Sequence, residues 1–90
     1  MARYTQLTLR RAIGRRLREL RARAGLSSQE RLAHLAGVHR TYVGRLERGE
    51  SGVTLDMLAA VLTPMSVSLA EFFRPFTQVH KPPRTPRQRE

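Results

Sequence analysis

The chain has 90 residues, no cysteine, a formal net charge of +10 and a sequence pI near 11.8. That length supports one small domain near the lower limit for folding alone, and the absence of thiols excludes a disulfide framework and a thiolate metal site. His34, His39 and His80 are not at metal-ligand spacing, no apolar run approaches the ~20 residues of a membrane span, and "MARYTQLTLRRAIGRR" lacks a signal-peptide core, so a cytoplasmic protein without metal or cofactor is expected.

Residues 1–7 read as a flexible basic arm. A first helix is predicted from about Thr8 to Ala24, because Ile13, Leu17, Leu20 and Ala24 recur at i, i+4, i+7 and i+11 and form one apolar stripe. Its other faces are arginine, and Gly25 supplies the C-cap. The second helix opens in "LSSQERLAHLAG", where either Ser28 is the cap or Ser27 forms a capping box with Glu30. Leu32, Ala33, Leu35 and Ala36 give its apolar side and Gly37 closes it; a third helix follows from about His39 to Arg48, ended by Gly49. The fourth, "TLDMLAAVL", is capped by Thr54 with Asp56 in its first turn, where the helix dipole favours negative charge. Pro64 requires it to stop or kink. The fifth, "SLAEFF", opens on Ser68 with Glu71 at the capping-box position and ends before Pro75. The domain proper is thus 8–76, and 77–90, with "HKPPRTPRQRE", reads as a disordered basic, proline-rich tail. No strand-like alternation occurs, so the fold class is all-α with five helices.

The charge is uneven along this frame. Residues 1–24 hold eight arginines against Glu19, residues 25–73 four arginines against five acids, and residues 74–90 four arginines and Lys81 against Glu90. The centre is nearly neutral, so the flanks and a few placed residues must supply any affinity for a polyanion. Arginine outnumbers lysine sixteen to one, which suits bidentate contacts with phosphate or guanine; genomic base composition gives the same bias.

Ala33, Gly37, Val43 and Leu46 stand at positions five, nine, fifteen and eighteen of the window from residue 29 to 48. A helix-turn-helix needs this set: a small residue where the helices cross, a glycine in the turn, and two apolar anchors beneath the second helix. With "RELRARAGLS", "SQERLAHLAGVHRTYVGRLERG", "TLDMLAAV" and "VSLAEFF", residues 12–73 resemble the lambda-repressor and Cro-like (Xre) family of helix-turn-helix transcriptional regulators. The chain departs from that pattern in the extra serine of "LSSQ", in Pro64 where alanine is common, and in Ser66 where glycine is common.

The resemblance implies a compact lambda-repressor-like domain that binds double-stranded DNA as a homodimer on a pseudo-palindromic operator, with helix three in the major groove. It implies that Arg40, Thr41 and Arg45 read bases, that Gln29 contacts a phosphate, and that Arg21 and Glu47 form a partly buried salt bridge from helix one to the end of helix three. By chemistry Arg40 or Arg45 pairs with guanine and Thr41 with a thymine methyl, or the arginines touch only phosphates. A capping role is the alternative for Gln29. On a helical wheel Gly44 sits at the centre of the polar face of helix three, opposite Tyr42, Val43 and Leu46, so it is expected to face base edges and to let the backbone approach the groove floor at a cost of roughly 1 kcal/mol in helix propensity. His39 either caps helix three and touches the DNA backbone or is solvated. Tyr42 is core, with a hydroxyl that could reach a phosphate; Arg48 is a phosphate clamp or a solvated charge. Phe72, Phe73 and Phe76 exceed what one short helix can bury, so at least one is expected at a dimer interface, a self-contained core being the alternative. Arg3, Arg10 and Arg11 form either an arm along the DNA or a solvated tail.

No Ser-His-acid set, paired carboxylates or phosphate-cradling glycine loop is recognisable, so an enzyme is not expected. The DNA-binding antitoxin of a toxin–antitoxin pair, gripping a protein partner through the basic flanks, and nonspecific nucleic-acid binding marked by steep salt dependence are the competing readings.

Overall fold

In a computed structural model, residues 6–80 are described, and they form five α-helices and two 3₁₀ turns with no strand among them: α1 Gln6–Arg23, α2 Gln29–Ala36, α3 Arg40–Glu47, α4 Leu55–Leu62, a turn at Thr63–Met65, α5 Leu69–Phe73 and a turn at Arg74–Gln78. The proposed arm at 1–7 and tail at 77–90 lie mostly outside the described residues, including Arg3. Where they overlap, Gln6 and Leu7 already belong to α1 and Thr77 and Gln78 to the last turn. Leu9, half-buried against the core, extends the stripe of Ile13, Leu17 and Leu20 by one turn toward the start of α1. Arg10 and Arg11 are therefore helical and belong to no arm.

Each later helix begins at a side-chain cap. Ser28, not Ser27, caps α2, its Oγ accepting from the Arg31 N–H at 3.0 Å; Thr54 and Ser68 accept from Met57 and Glu71 at 3.1 and 3.0 Å. Gly37, at φ 73°, ends α2 while the Val38 N–H reaches the Ala33 carbonyl at 3.0 Å. Helix α4 stops at Leu62, and Pro64 sits inside the following 3₁₀ turn, which Ser66 closes in the left-handed region at φ 57°.

The core unites Ile13, Leu17 and Leu20 of α1, Leu32 and Ala33 of α2, Val43 and Leu46 of α3, Leu58, Val61 and Leu62 of α4, Met65, and Phe72 of α5. Phe72 is completely buried, so it is a core residue and not part of a dimer interface. The three phenylalanines solve their crowding among themselves: Phe73 and Phe76 meet at 5.1 Å in a T-shape, and each packs on Phe72 at 5.0 and 5.7 Å. Phe76 reaches this cluster from the turn after α5.

Candidate nucleic-acid interface

Helices α2 and α3 pack through Ala33, and Val43 and Leu46 hold α3 from beneath, both essentially inaccessible. This fixes which face of α3 points outward. Arg40, Thr41 and Arg45 are exposed on it. Together with Gln29 and Glu30 at the start of α2, Arg40, Thr41, Gly44 and Arg48 line one concavity. His39 caps α3 with Nδ1, which accepts from the Thr41 N–H at 3.1 Å. Its capping role is thereby filled, and the Nε2 edge of the ring is left for other contacts.

The most connected side chain here is Glu47, the last residue of α3, whose carboxylate is fully buried. Arg21 of α1 grips it with two bonds of 2.7 and 3.0 Å and also donates to the Leu26 carbonyl at 2.9 Å; Gln29 Nε2 donates to it at 2.8 Å, and Arg18 approaches at 3.5 Å. Desolvation pushes the Glu47 carboxyl up, but the bonds from Arg21, Gln29 and Arg18 and the Arg21 charge outweigh it and hold the group below the usual carboxylate range. The bond to Glu47 likewise raises Arg21 against the opposing effect of burial. One carboxylate thus ties α1, α2 and α3 together.

Gly44 requires a correction to its expected place. It borders the concavity but is itself buried beneath neighbouring side chains, and a Cβ there would lie 3.1 Å from both Gln29 Oε1 and Arg48 Nη1. The helical wheel oriented α3 correctly but could not show that the neighbouring helix covers this spot. What the chain gains from glycine is room for the Gln29 carboxamide to lie across α3 and reach Glu47.

Gln29 therefore spends its amide donor on Glu47, while its backbone remains in the first turn of α2. Arg48 forms the C-cap residue of α3 and pairs with Glu50 through bonds of 3.0 and 3.2 Å, which hold the Glu50 carboxyl below its ordinary range. Arg40 stands 3.8 Å from the Glu30 carboxylate. Tyr42 is half-buried against the core, and that burial raises its hydroxyl pKa.

Several residues escaped the sequence reading. A Cβ on Gly14 would fall 2.5 Å from the Leu46 carbonyl oxygen and 2.8 Å from the Glu47 carbonyl carbon, so this glycine sets the close contact of α1 with the end of α3. A glycine next to Ile13 on the apolar stripe was the available signal. Arg16 donates to the Phe72 and Glu71 carbonyls at 2.9 and 2.8 Å and satisfies the end of α5. Nothing local marks it, because its acceptors lie some 55 residues away. Glu50 was counted as one charge, though its effect depends on facing Arg48.

Among the described residues no group of three or more His, Cys, Asp or Glu could hold a metal ion, and no single helix is long and apolar enough to cross a membrane. The family model described as helix-turn-helix domain matches residues 12–72. The chain is 45% identical over 42 residues to Control protein C.SmaI of Serratia marcescens, covering 47% of this chain and 50% of that protein. It is 34% identical over 59 residues to Control protein C.BamHI of Bacillus amyloliquefaciens, covering 66% and 73%. The chain thus spans half the length of the first relative and nearly three quarters of the second. In structure it resembles the HTH_3 family transcriptional regulator from Vibrio cholerae, with a TM-score of 0.74 and 32% identity over 83% of this chain and 42% of that one. The clp gene regulator ClgR from C. glutamicum matches with a TM-score of 0.70 and 32% identity over 82% and 91%. The anchored α2–α3 pair and the match across residues 12–72 agree: the chain belongs to the helix-turn-helix family, in its Cro/C1-like (Xre) form.

Proposed function

We propose that this chain is a sequence-specific DNA-binding transcriptional regulator that acts as a homodimer on a pseudo-palindromic operator, with α3 of each copy in a major groove. The observation that carries the reading is the division of α3: Val43 and Leu46 are sealed in the core while Arg40, Thr41 and Arg45 project from the opposite side. Relatives named as control proteins and neighbours named as transcriptional regulators support it. They do not favour the antitoxin alternative, and the cytoplasm is the compartment that suits this work.

In this reading Arg40 and Arg45 pair with guanine edges and Thr41 meets a thymine methyl, each good bidentate pair discriminating by roughly 1–3 kcal/mol. Gln29, His39, Tyr42 and Arg48 face the sugar-phosphate backbone, Gln29 through the start of α2, where backbone N–H groups and the helix dipole favour an anion. Arg21 and Glu47 are structural and touch no DNA. With Phe72 in the core, Phe73 and Phe76, which border a shallow groove with Leu9 and His80, are the aromatic candidates for the contact between copies. Two copies on one face of B-DNA set half-sites about one turn, roughly 34 Å, apart.

Selection of bound sequences from a random duplex pool at ~150 mM salt tests the reading. A two-fold symmetric motif is the expected result. Recovery of no motif, with binding that merely fades as salt rises, would overturn sequence-specific dimeric recognition.

A further inference from the structure

Two of the four arginines of the motif face an acid. Arg48 is paired with Glu50, Arg40 stands near Glu30, and the loop Gly49–Val53 beyond α3 holds one acid and no basic residue. Arg10 of α1 forms no ion pair or hydrogen bond with another described residue, yet it is not adrift. Its guanidinium lies against Gly52, where an added Cβ would meet Nη2 at 3.3 Å and Nε at 3.5 Å. One residue on, the Arg11 backbone packs under Gly49, whose added Cβ would stand 3.0 Å from the Arg11 Cα. Gly49 needs glycine twice over, since its φ is also +73°. Two adjacent residues of α1 are therefore docked on the loop that leaves α3 at Arg48, and Arg48 lines the same concavity as Thr41 and Gly44.

We propose that Arg10 is a phosphate-contacting residue for duplex DNA, carried by α1 onto the Gly49–Val53 loop beside the end of the recognition helix. The proposal rests on the DNA-binding reading above. An unpaired guanidinium held beside an interface is free to take a phosphate oxygen pair without first breaking an internal ion pair. It also gives the border of the face a positive charge that the loop itself lacks.

The test is fluorescence-anisotropy titration of Arg10→Gln and the parent protein against the selected operator and an unrelated duplex, across a series of salt concentrations. Loss of one phosphate contact should lower the slope of log K against log salt by about 0.9 and weaken binding about fivefold at 0.15 M salt, equally on both duplexes. Arg15→Gln removes the same charge from the side of α1 that faces Pro75 and Phe76, and it should change the slope clearly less. Gly52→Leu, which crowds the guanidinium without removing it, should weaken both duplexes in the same direction as Arg10→Gln. Thermal melting of Arg10→Gln should match the parent, because no internal bond is lost. An unchanged slope for Arg10→Gln, equal effects of Arg10→Gln and Arg15→Gln, or a loss confined to the operator would overturn the assignment to Arg10 while leaving the DNA-binding reading intact. If the parent itself binds neither duplex, the underlying reading fails first.

Discussion

Replacing Glu47 by alanine removes the one acceptor shared by α1, α2 and α3. Its carboxylate is fully buried, and Arg21, whose side chain is only 12% exposed, would be left with the Leu26 carbonyl as its hydrogen-bond partner. Stranding one member of a buried ion pair costs about 3–5 kcal/mol. A domain of 60–100 residues loses roughly 4–8 °C in Tm per kcal/mol, so the expected fall is at least about 12 °C by circular dichroism or calorimetry. The pH dependence carries a second signature. The folded-state pKa of Glu47 is depressed, so its contribution is fully present above the unfolded carboxylate value near 4.3 and is lost as pH falls through the folded value. The difference in Tm between parent and Glu47→Gln should be constant from pH 5 to 8 and shrink below about pH 4. A fall of under about 5 °C for Glu47→Ala, or a Tm difference that persists unchanged at low pH, would refute the argument that this pair is a structural hub.

Gly14→Ala should destabilise the fold in spite of a gain of about 1 kcal/mol in helix propensity, because the new Cβ meets backbone atoms of Leu46 and Glu47 and overpacking costs about 1–3 kcal/mol or more; a Tm at or above that of the parent would contradict it. Gly44→Ala meets only the ends of Gln29 and Arg48 at 3.1 Å, so melting should change little while anisotropy reports weaker operator binding; unaffected binding would count against a role for the Gln29 position. Ser66→Gly should raise Tm by roughly 2–8 °C, since a left-handed residue other than glycine costs about 1–2 kcal/mol and glycine returns part of that as backbone entropy. A lowered Tm would show that the serine contributes something its backbone angle does not reveal. Glu50→Gln releases Arg48 and should raise affinity for any duplex and steepen its salt dependence, by up to one phosphate contact; identical titration curves would show that the pair opens without cost.

The number, type and order of the helices were legible in the sequence because each carries local chemistry. Ser28, Thr54 and Ser68 are caps whose partners lie three residues away, Gly37 and Gly49 are left-handed stops, and the apolar stripes repeat at helical period. The spacing of Ala33, Gly37, Val43 and Leu46 marked the α2–α3 motif and, by fixing the inner face of α3, its outward residues as well. Tertiary structure decided everything that depends on which distant residue occupies a given space. It sent Phe72 to the core and packed Phe73 and Phe76 edge-on and tilted around it. It also covered Gly44 with side chains from α2 and beyond, and placed Gly14 against the carbonyls of α3. Docking of α1 on the Gly49–Val53 loop separated Arg10 from the other arginines of a helix that looks uniformly basic in one dimension. Periodicity assigns a residue to a face, but only the packing of the other helices determines whether that face meets solvent, a carbonyl or another charge.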